Sequence, residues 1–168
     1  MKAAFLYKFL NYIEWPAAAF KDDGSPLVIG VAGSDAMLAE LRNVLRGREV
    51  QNWRLMAVNV QNDTEAGAVH VLYVGRESAG RLARVTRSAR TAPVLLVADL
   101  PDGLDQGAVI NFVTVERKVR FEIAIETAER SGLAISSRLL AVAVRIKRSR
   151  SEPFTLLSRA GPSNATSA

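Results

Sequence analysis

The chain has 168 residues, no cysteine, and a formal net charge of +5 from 22 basic and 17 acidic residues. That length fits one domain with one core, and a hydrophobic fraction of 49% excludes disorder as the state of the whole chain. The missing cysteines exclude disulfides, thiol catalysis and thiolate metal sites, and no stretch reaches the roughly 20 apolar residues of a membrane-spanning helix.

Leu6, Phe9, Leu10 and Ile13 recur at helical spacing and predict a helix over 3–13, limited by Pro16. Lys8, Asn11 and Glu14 interrupt the apolar run that a secretion signal needs, and Trp15-Pro16 is no cleavage site. Met1 is therefore read as opening directly into folded structure, with any export signal expected upstream. Lys21 to Pro26 is a turn cluster, followed by a strand over 27–31. Ser34 or Asp35 can cap a helix carrying Met37, Leu38, Leu41, Val44 and Leu45, with Gly47 just past its end.

Strands are predicted over 53–60, 69–74 and 94–98, with a helix marked by Leu82, Val85 and Ala89 before the last of them. The alternation implies an α/β fold: a mainly parallel central sheet with helices on both faces. Residues 109–123 then read as an antiparallel hairpin turning at Glu116-Arg117-Lys118. Helices follow: a short one over 124–131 ending at Gly132, and a last one carrying Ile135, Leu139, Val142 and Ile146. Residues 1–148 are read as one domain and 149–168 as a loose tail, on which Phe154, Leu156 and Leu157 are expected to dock back on the body.

Chemistry-bearing patterns are scarce. His70 has no Gly-x-Ser-x-Gly elbow to serve, and reads as a structural histidine at a strand entrance, bonded to nearby backbone. Asp22-Asp23 reads as a solvated turn, and no carboxylate set shows calcium-loop spacing. Gly30-Val31-Ala32-Gly33-Ser34-Asp35 lies where phosphates often bind but fits neither nucleotide motif; turn glycines and a helix cap explain it. Glu126 and Glu129 make a hydrated helix face, and Glu122 precedes them on a strand. Arg81, Arg84, Arg87 and Arg90 drift around their helix instead of forming one stripe, so nucleic acid is not an expected partner. No catalytic residue, metal site or cofactor is expected.

Two blocks carry a family likeness. The first is Lys2-Ala3-Ala4-Phe5-Leu6-Tyr7-Lys8-Phe9, continuing to Glu14-Trp15-Pro16. The second runs from Gly107 and Ile110-Asn111-Phe112 through Val119-Arg120-Phe121-Glu122-Ile123 to Gly132-Leu133-Ala134-Ile135-Ser136-Ser137-Arg138-Leu139-Leu140. Between them lie His70-Val71-Leu72-Tyr73-Val74 and the strand from Pro93-Val94-Leu95 to Asp99. In order and spacing these resemble the YfiR-like family, periplasmic proteins typified by the repressor of a membrane-bound diguanylate cyclase. Three positions depart from that pattern. Val69 stands where a cysteine precedes the family histidine, so redox sensing does not carry over. Ala108 breaks a glycine pair, and Ala124 replaces the usual asparagine.

The resemblance implies a periplasmic, non-catalytic regulator that represses, or senses for, an inner-membrane signalling protein such as a diguanylate cyclase or histidine kinase. A homodimer and a small-molecule ligand are compatible with it. The interface is expected to use exposed apolar and arginine side chains, with the first or last helix as candidates. As a ligand sensor, the chain would place its pocket at the carboxyl ends of the strands near Gly33, Ser34 and His70, with Arg120 supplying charge. Arg120 and Glu122 share one strand face and would need partners if that face is covered. Trp15 and Pro16 are expected to end a helix under the sheet, and Ser136 and Ser137 to cap the final one.

Overall fold

A computed structural model describes residues 1–20, 24–89 and 92–148. Helix α1 (Lys2–Phe9) buries Ala3, Leu6 and Phe9 on one face. It ends about a turn earlier than its apolar spacing predicts. Leu10, Asn11 and Tyr12 close tight turns onto Tyr7, Lys8 and Phe9, and the Gln51 side-chain amide donates to the carbonyls of Leu10 and Ile13 at 3.1 and 3.2 Å. Beyond the helix end, the carbonyls of Leu10 and Ile13 thus find a donor from a distant turn. Ile13 stays buried, but in strand β1 (Ile13–Glu14).

Strand β2 (Leu27–Ala32) leads to α2 (Asp35–Leu45), where the Ser34 hydroxyl accepts from the Met37 amide at 3.0 Å. Gly47 leaves that helix in the left-handed region at φ +71°. Strands β3 (Glu49–Val50) and β4 (Trp53–Asn59) form a small hairpin that the sequence pattern misses; its turn residues Gln51 and Asn52 have φ of 53° and 69°. A capping box between Asn62 and Glu65 opens the 3-10 turn Asp63–Ala68. Strand β5 (Val71–Val74), the 3-10 turn Arg76–Arg81, α3 (Leu82–Ala89) and β6 (Leu95–Ala98) follow. Every residue of β5 and β6 is buried, as central parallel strands require. Arg84 and Arg87 lie exposed on α3. The predicted turn residues 21–23, Arg90, and the tail over 149–168 lie outside the described residues.

Strands β7 (Ile110–Val115) and β8 (Lys118–Ala124) form the expected hairpin, with Glu116 and Arg117 both at positive φ in its two-residue turn. The remaining elements are α4 (Ile125–Arg130), β9 (Ala134–Ile135), α5 (Ser137–Val142) and β10 (Arg145–Lys147). Here the predicted long last helix breaks into three pieces. Ile135 pairs with Ile13, Leu139 is buried on a short helix, and Ile146 lies on β10. The competing interaction is the edge of β8. The Val144 amide donates to the Phe121 carbonyl at 2.9 Å, and β10 runs parallel to β8.

The main sheet has the order β10-β8-β7-β6-β5-β2-β4-β3. Its parallel core is doubly wound: β2 comes first, β4 lies on one side of it, and β5, β6 and β7 follow on the other. Helices α1 and α2 cover one face, with Phe9, Leu41, Tyr73, Phe112 and Phe121 in that core. Helix α3 and the turn over 63–68 cover the other face above Leu72, Leu82 and Leu96. The fold is the mixed α/β sheet that the alternating pattern predicts.

Aromatic rings hold α1 in place. Phe9 lies 4.9 Å from Phe121, edge to face, and 5.8 Å from Phe112. Phe5 sits at 6.0–6.1 Å from the same two rings. Truncating such a buried ring loses its apolar transfer energy and leaves a cavity. Phe9→Ala is expected to destabilise the chain by about 3–5 kcal/mol, read as a lowered urea midpoint with an unchanged slope.

Candidate functional site

In doubly wound sheets ligands usually bind outside the carboxyl ends of the strands, where the winding reverses. That point falls here between β2 and β5, whose ends carry Gly33-Ser34 and Gly75. The chain packs closely on itself at the two glycines. A Cβ on Gly33 (φ +81°) would lie 2.5 Å from the Ser78 hydroxyl, and one on Gly75 would lie 2.8 Å from the Gly33 carbonyl. The Gly75 amide donates to Ala32, and Ser34 is occupied capping α2. The turn over 76–81 thus packs against the Gly33 turn, and a cleft of about 340 Å³ remains beside it, lined by Lys2, Ser34, Tyr73 and Asp99.

Beside that closure is a charged cluster the sequence reading missed. Asp99, at the end of the fully buried β6, accepts from Lys2 at 2.6 Å and from the Tyr73 hydroxyl at 3.3 Å; Arg76 stands 3.9 Å away. Burial, then the Asp99 carboxylate, push the Tyr73 hydroxyl well above the ordinary tyrosine value, so it stays a donor. The available signal was a lone carboxylate closing a wholly apolar strand. Its partner Lys2, 97 residues earlier in the chain, gave no signal at all.

His70 lies at the other end of the sheet. Its Nδ1 accepts from the Val28 amide at 3.0 Å, which puts the ring proton on Nε2, facing the Ala19 carbonyl at 2.8 Å. Both nitrogens are engaged, leaving none for a base or a metal. Phe20 stacks on the ring at 4.4 Å, and Trp53 stacks on Phe20 at 3.8 Å. The Trp15 indole donates to the His70 carbonyl at 3.0 Å. Pro16 starts the 3-10 turn Ala17–Ala19 that delivers the Ala19 carbonyl. Trp15 and Pro16 therefore do not end α1; they bring a turn against His70. Glu14 is exposed and pairs through its backbone with Ala134.

The expected pocket joining Gly33, Ser34 and His70 does not form, because His70 sits at the amino ends of the strands and the other two at the carboxyl ends. Arg120 does not complete it: it is exposed on β8 opposite Val113. Nor does Arg120 pair with Glu122. Buried Glu122 accepts from Arg145 of β10 at 2.8 Å and from Asn111 at 3.1 Å. The Glu122 hydrogen bond and charge hold the Arg145 guanidinium above its ordinary value. Asn111 also exchanges two hydrogen bonds with the backbone of Leu100. Ser136 caps α5, accepting from the Arg138 amide, whereas Ser137 is the first helical residue. Among the described residues no group of three or more His, Asp or Glu side chains could hold a metal, and no helix is long and apolar enough to cross a membrane.

A sequence model of the YfiR/HmsC-like family matches residues 1–144. Among proteins of curated function none matches. A crystal structure of a conserved domain protein from Vibrio cholerae O1 biovar El Tor is similar, with a TM-score of 0.56 and 14% identity over 72% of this chain. The chain spans 55% of that protein's length, and at this identity the likeness is one of fold.

Burial lowers the His70 pKa below the ordinary histidine value, against the opposing pull of the Ala19 carbonyl. The unfolded chain therefore binds more protons at this site as the pH falls through about 6.5. The contribution is present above that pH and is lost as the pH drops toward the depressed folded value. Urea midpoints are expected to fall between about pH 7.5 and about pH 5, and His70→Gln is expected to remove the histidine part of that slope. An unchanged slope in the variant contradicts the assignment.

Proposed function

Because this chain belongs to the YfiR/HmsC-like family, we propose that it is a periplasmic regulator that binds the extracytoplasmic domain of an inner-membrane signalling protein. The family is one of regulatory rather than catalytic proteins. The finer reading is that the partner is a diguanylate cyclase or a sensor kinase, and that binding represses it. The observation that supports this most is the family match over residues 1–144; beside it, Ser78 packs against Gly33 at the point where such sheets often hold small substrates. Both His70 nitrogens are engaged, and Asp99 is held by Lys2 and Tyr73. Such a chain acts through its surfaces.

Repression by binding needs differential affinity for the inactive receptor state. Moving a receptor from 1:99 to 99:1 takes about 10⁴-fold preference, or about 5.5 kcal/mol. A preference of that size comes from a sizeable interface, not from one contact.

A small-ligand role is favoured by one separate feature. A cleft of about 690 Å³ opens between α3 and α4, with Leu96 and Val109 at its base and Thr86, Gln106 and Arg130 on its walls. It lies away from the carboxyl-end site that the sequence suggests. Stabilisation in a thermal-shift screen of small carboxylates, lost in Arg130→Ala, would support that role.

Coexpression with a membrane sensor encoded beside this chain is expected to yield a complex through the sensor's extracytoplasmic domain and to lower sensor output at least about five-fold. Recovery of no complex, with output unchanged, overturns the regulatory reading.

A further inference from the structure

The sheet edge beyond β2 is only partly covered. β4 has seven residues, and β3 pairs with Trp53 and Arg54 alone. Among the described residues no strand lies outside Leu55 to Asn59. The Val60 amide donates inward to Val31 at 2.9 Å. By the two-residue alternation of a strand, the backbone groups of Leu55, Ala57 and Asn59 therefore point outward. They form an outward row of donors and acceptors, in which the Ala57 carbonyl already accepts from Arg42.

The two sides of this edge differ. On the α1–α2 side, Arg42, Arg46 and Arg48 are exposed and, with Arg54, line a cleft of about 490 Å³ whose lone carboxylate is Glu49, Arg54's cross-strand neighbour. Arg42 leans on the outward Ala57 carbonyl through long contacts of 3.3 and 3.4 Å. The Arg48 guanidinium lies over the Tyr7 ring at 5.0 Å. On the opposite side Met56 is 48% exposed beside half-buried Val58, with the exposed Arg54 two residues earlier on the same face. Arg42, Arg46 and Arg48 stand on one side, and a thioether with Arg54 on the other.

We infer that this edge takes an extended segment of an acidic partner protein as an added strand, with acidic residues toward Arg42, Arg46 and Arg48 and apolar residues toward Met56 and Val58. Main-chain bonds supply affinity in such additions and alternate side chains supply specificity. A second copy of this chain is a poor occupant, because pairing β4 with itself would bring one arginine row against the other. The inference rests on the regulatory reading for the partner's identity but is tested apart from it. Arginines on an open edge also discourage self-association, and that alone would bind no peptide.

The probe is a fluorescein-labelled peptide of about eight residues alternating glutamate and valine, titrated with the full chain at low salt and read by anisotropy. Binding is expected, and a lysine–valine peptide is expected to bind at least about ten-fold more weakly. Two further peptides carry backbone N-methyl groups on all glutamates or on all valines. Only one set of amides faces β4, so one methylated peptide is expected to lose about ten-fold and the other to stay within about two-fold. Arg46→Glu, at an exposed position where the guanidinium donates to the Asn43 side chain at 3.1 Å, is expected to weaken binding at least about five-fold with the urea midpoint unchanged. No binding, equal binding of the lysine peptide, a loss on both or neither methylated peptide, or no effect of Arg46→Glu overturns the inference. A chain that captures the sensor domain but ignores the peptide sinks this inference alone. Peptide binding with no sensor complex sinks the regulatory reading alone.

Discussion

The ring of Phe9, set between Phe112 and Phe121, is the contact on which the rest of the arrangement leans. Helix α1 stands outside the alternation of strands and helices that builds the sheet, so no tight loop forces it into place. Aromatic packing does so. Once α1 is seated over β7 and β8, Lys2 reaches Asp99 and Leu10 meets Gln51. Ile13 can then pair with Ile135. An aromatic cluster thereby joins the first helix to the last third of the chain and covers a sheet face that would otherwise expose Phe112 and Phe121.

At the carboxyl end of the sheet, where such winding orders often bind ligands, the chain makes close contacts with itself. One part of the carboxyl end is filled by the turn over 76–81, through Ser78. The neighbouring part is neutralised by Lys2 on Asp99. At the amino end, His70 is locked between two backbone groups and an aromatic stack. Lys2, His70, Tyr73 and Asp99 are thus engaged in holding elements together. What stays available lies on the outside: an open strand edge, arginines and a few exposed apolar side chains. That distribution suits a protein whose output is association.

Legibility followed the range of the interaction. Local patterns were readable: the buried runs of β5 and β6, the β7–β8 hairpin, the Ser34 cap and the glycine at position 47. Patterns whose outcome depended on distant groups misled. Ile135, Leu139, Val142 and Ile146 have helical spacing, but the free edge of β8 and the buried carboxylate of Glu122 draw Arg145 and Ile146 into a strand. Helix α1 stops early because Gln51, some 40 residues on, supplies donors to its end. Arg120 and Glu122 share a strand face, yet only Glu122 is covered, and the cation that reaches it comes from another strand. Grouping His70 with Gly33 failed for a topological reason. One residue precedes its strand and the other follows its own, so parallel pairing sends them to opposite poles.

Those poles bear on how the molecule carries a load. Lys2 is fastened at the carboxyl end of the sheet, whereas β10 runs alongside β8 toward the amino end. Tension applied between Lys2 and Lys147 therefore drags β10 lengthwise along β8, while α1 grips the same hairpin through Phe121. Strands slid lengthwise share the strain among all their bonds, instead of opening from one end like a zipper. A partner that tugged on this chain would meet a stiff body and not an unravelling one.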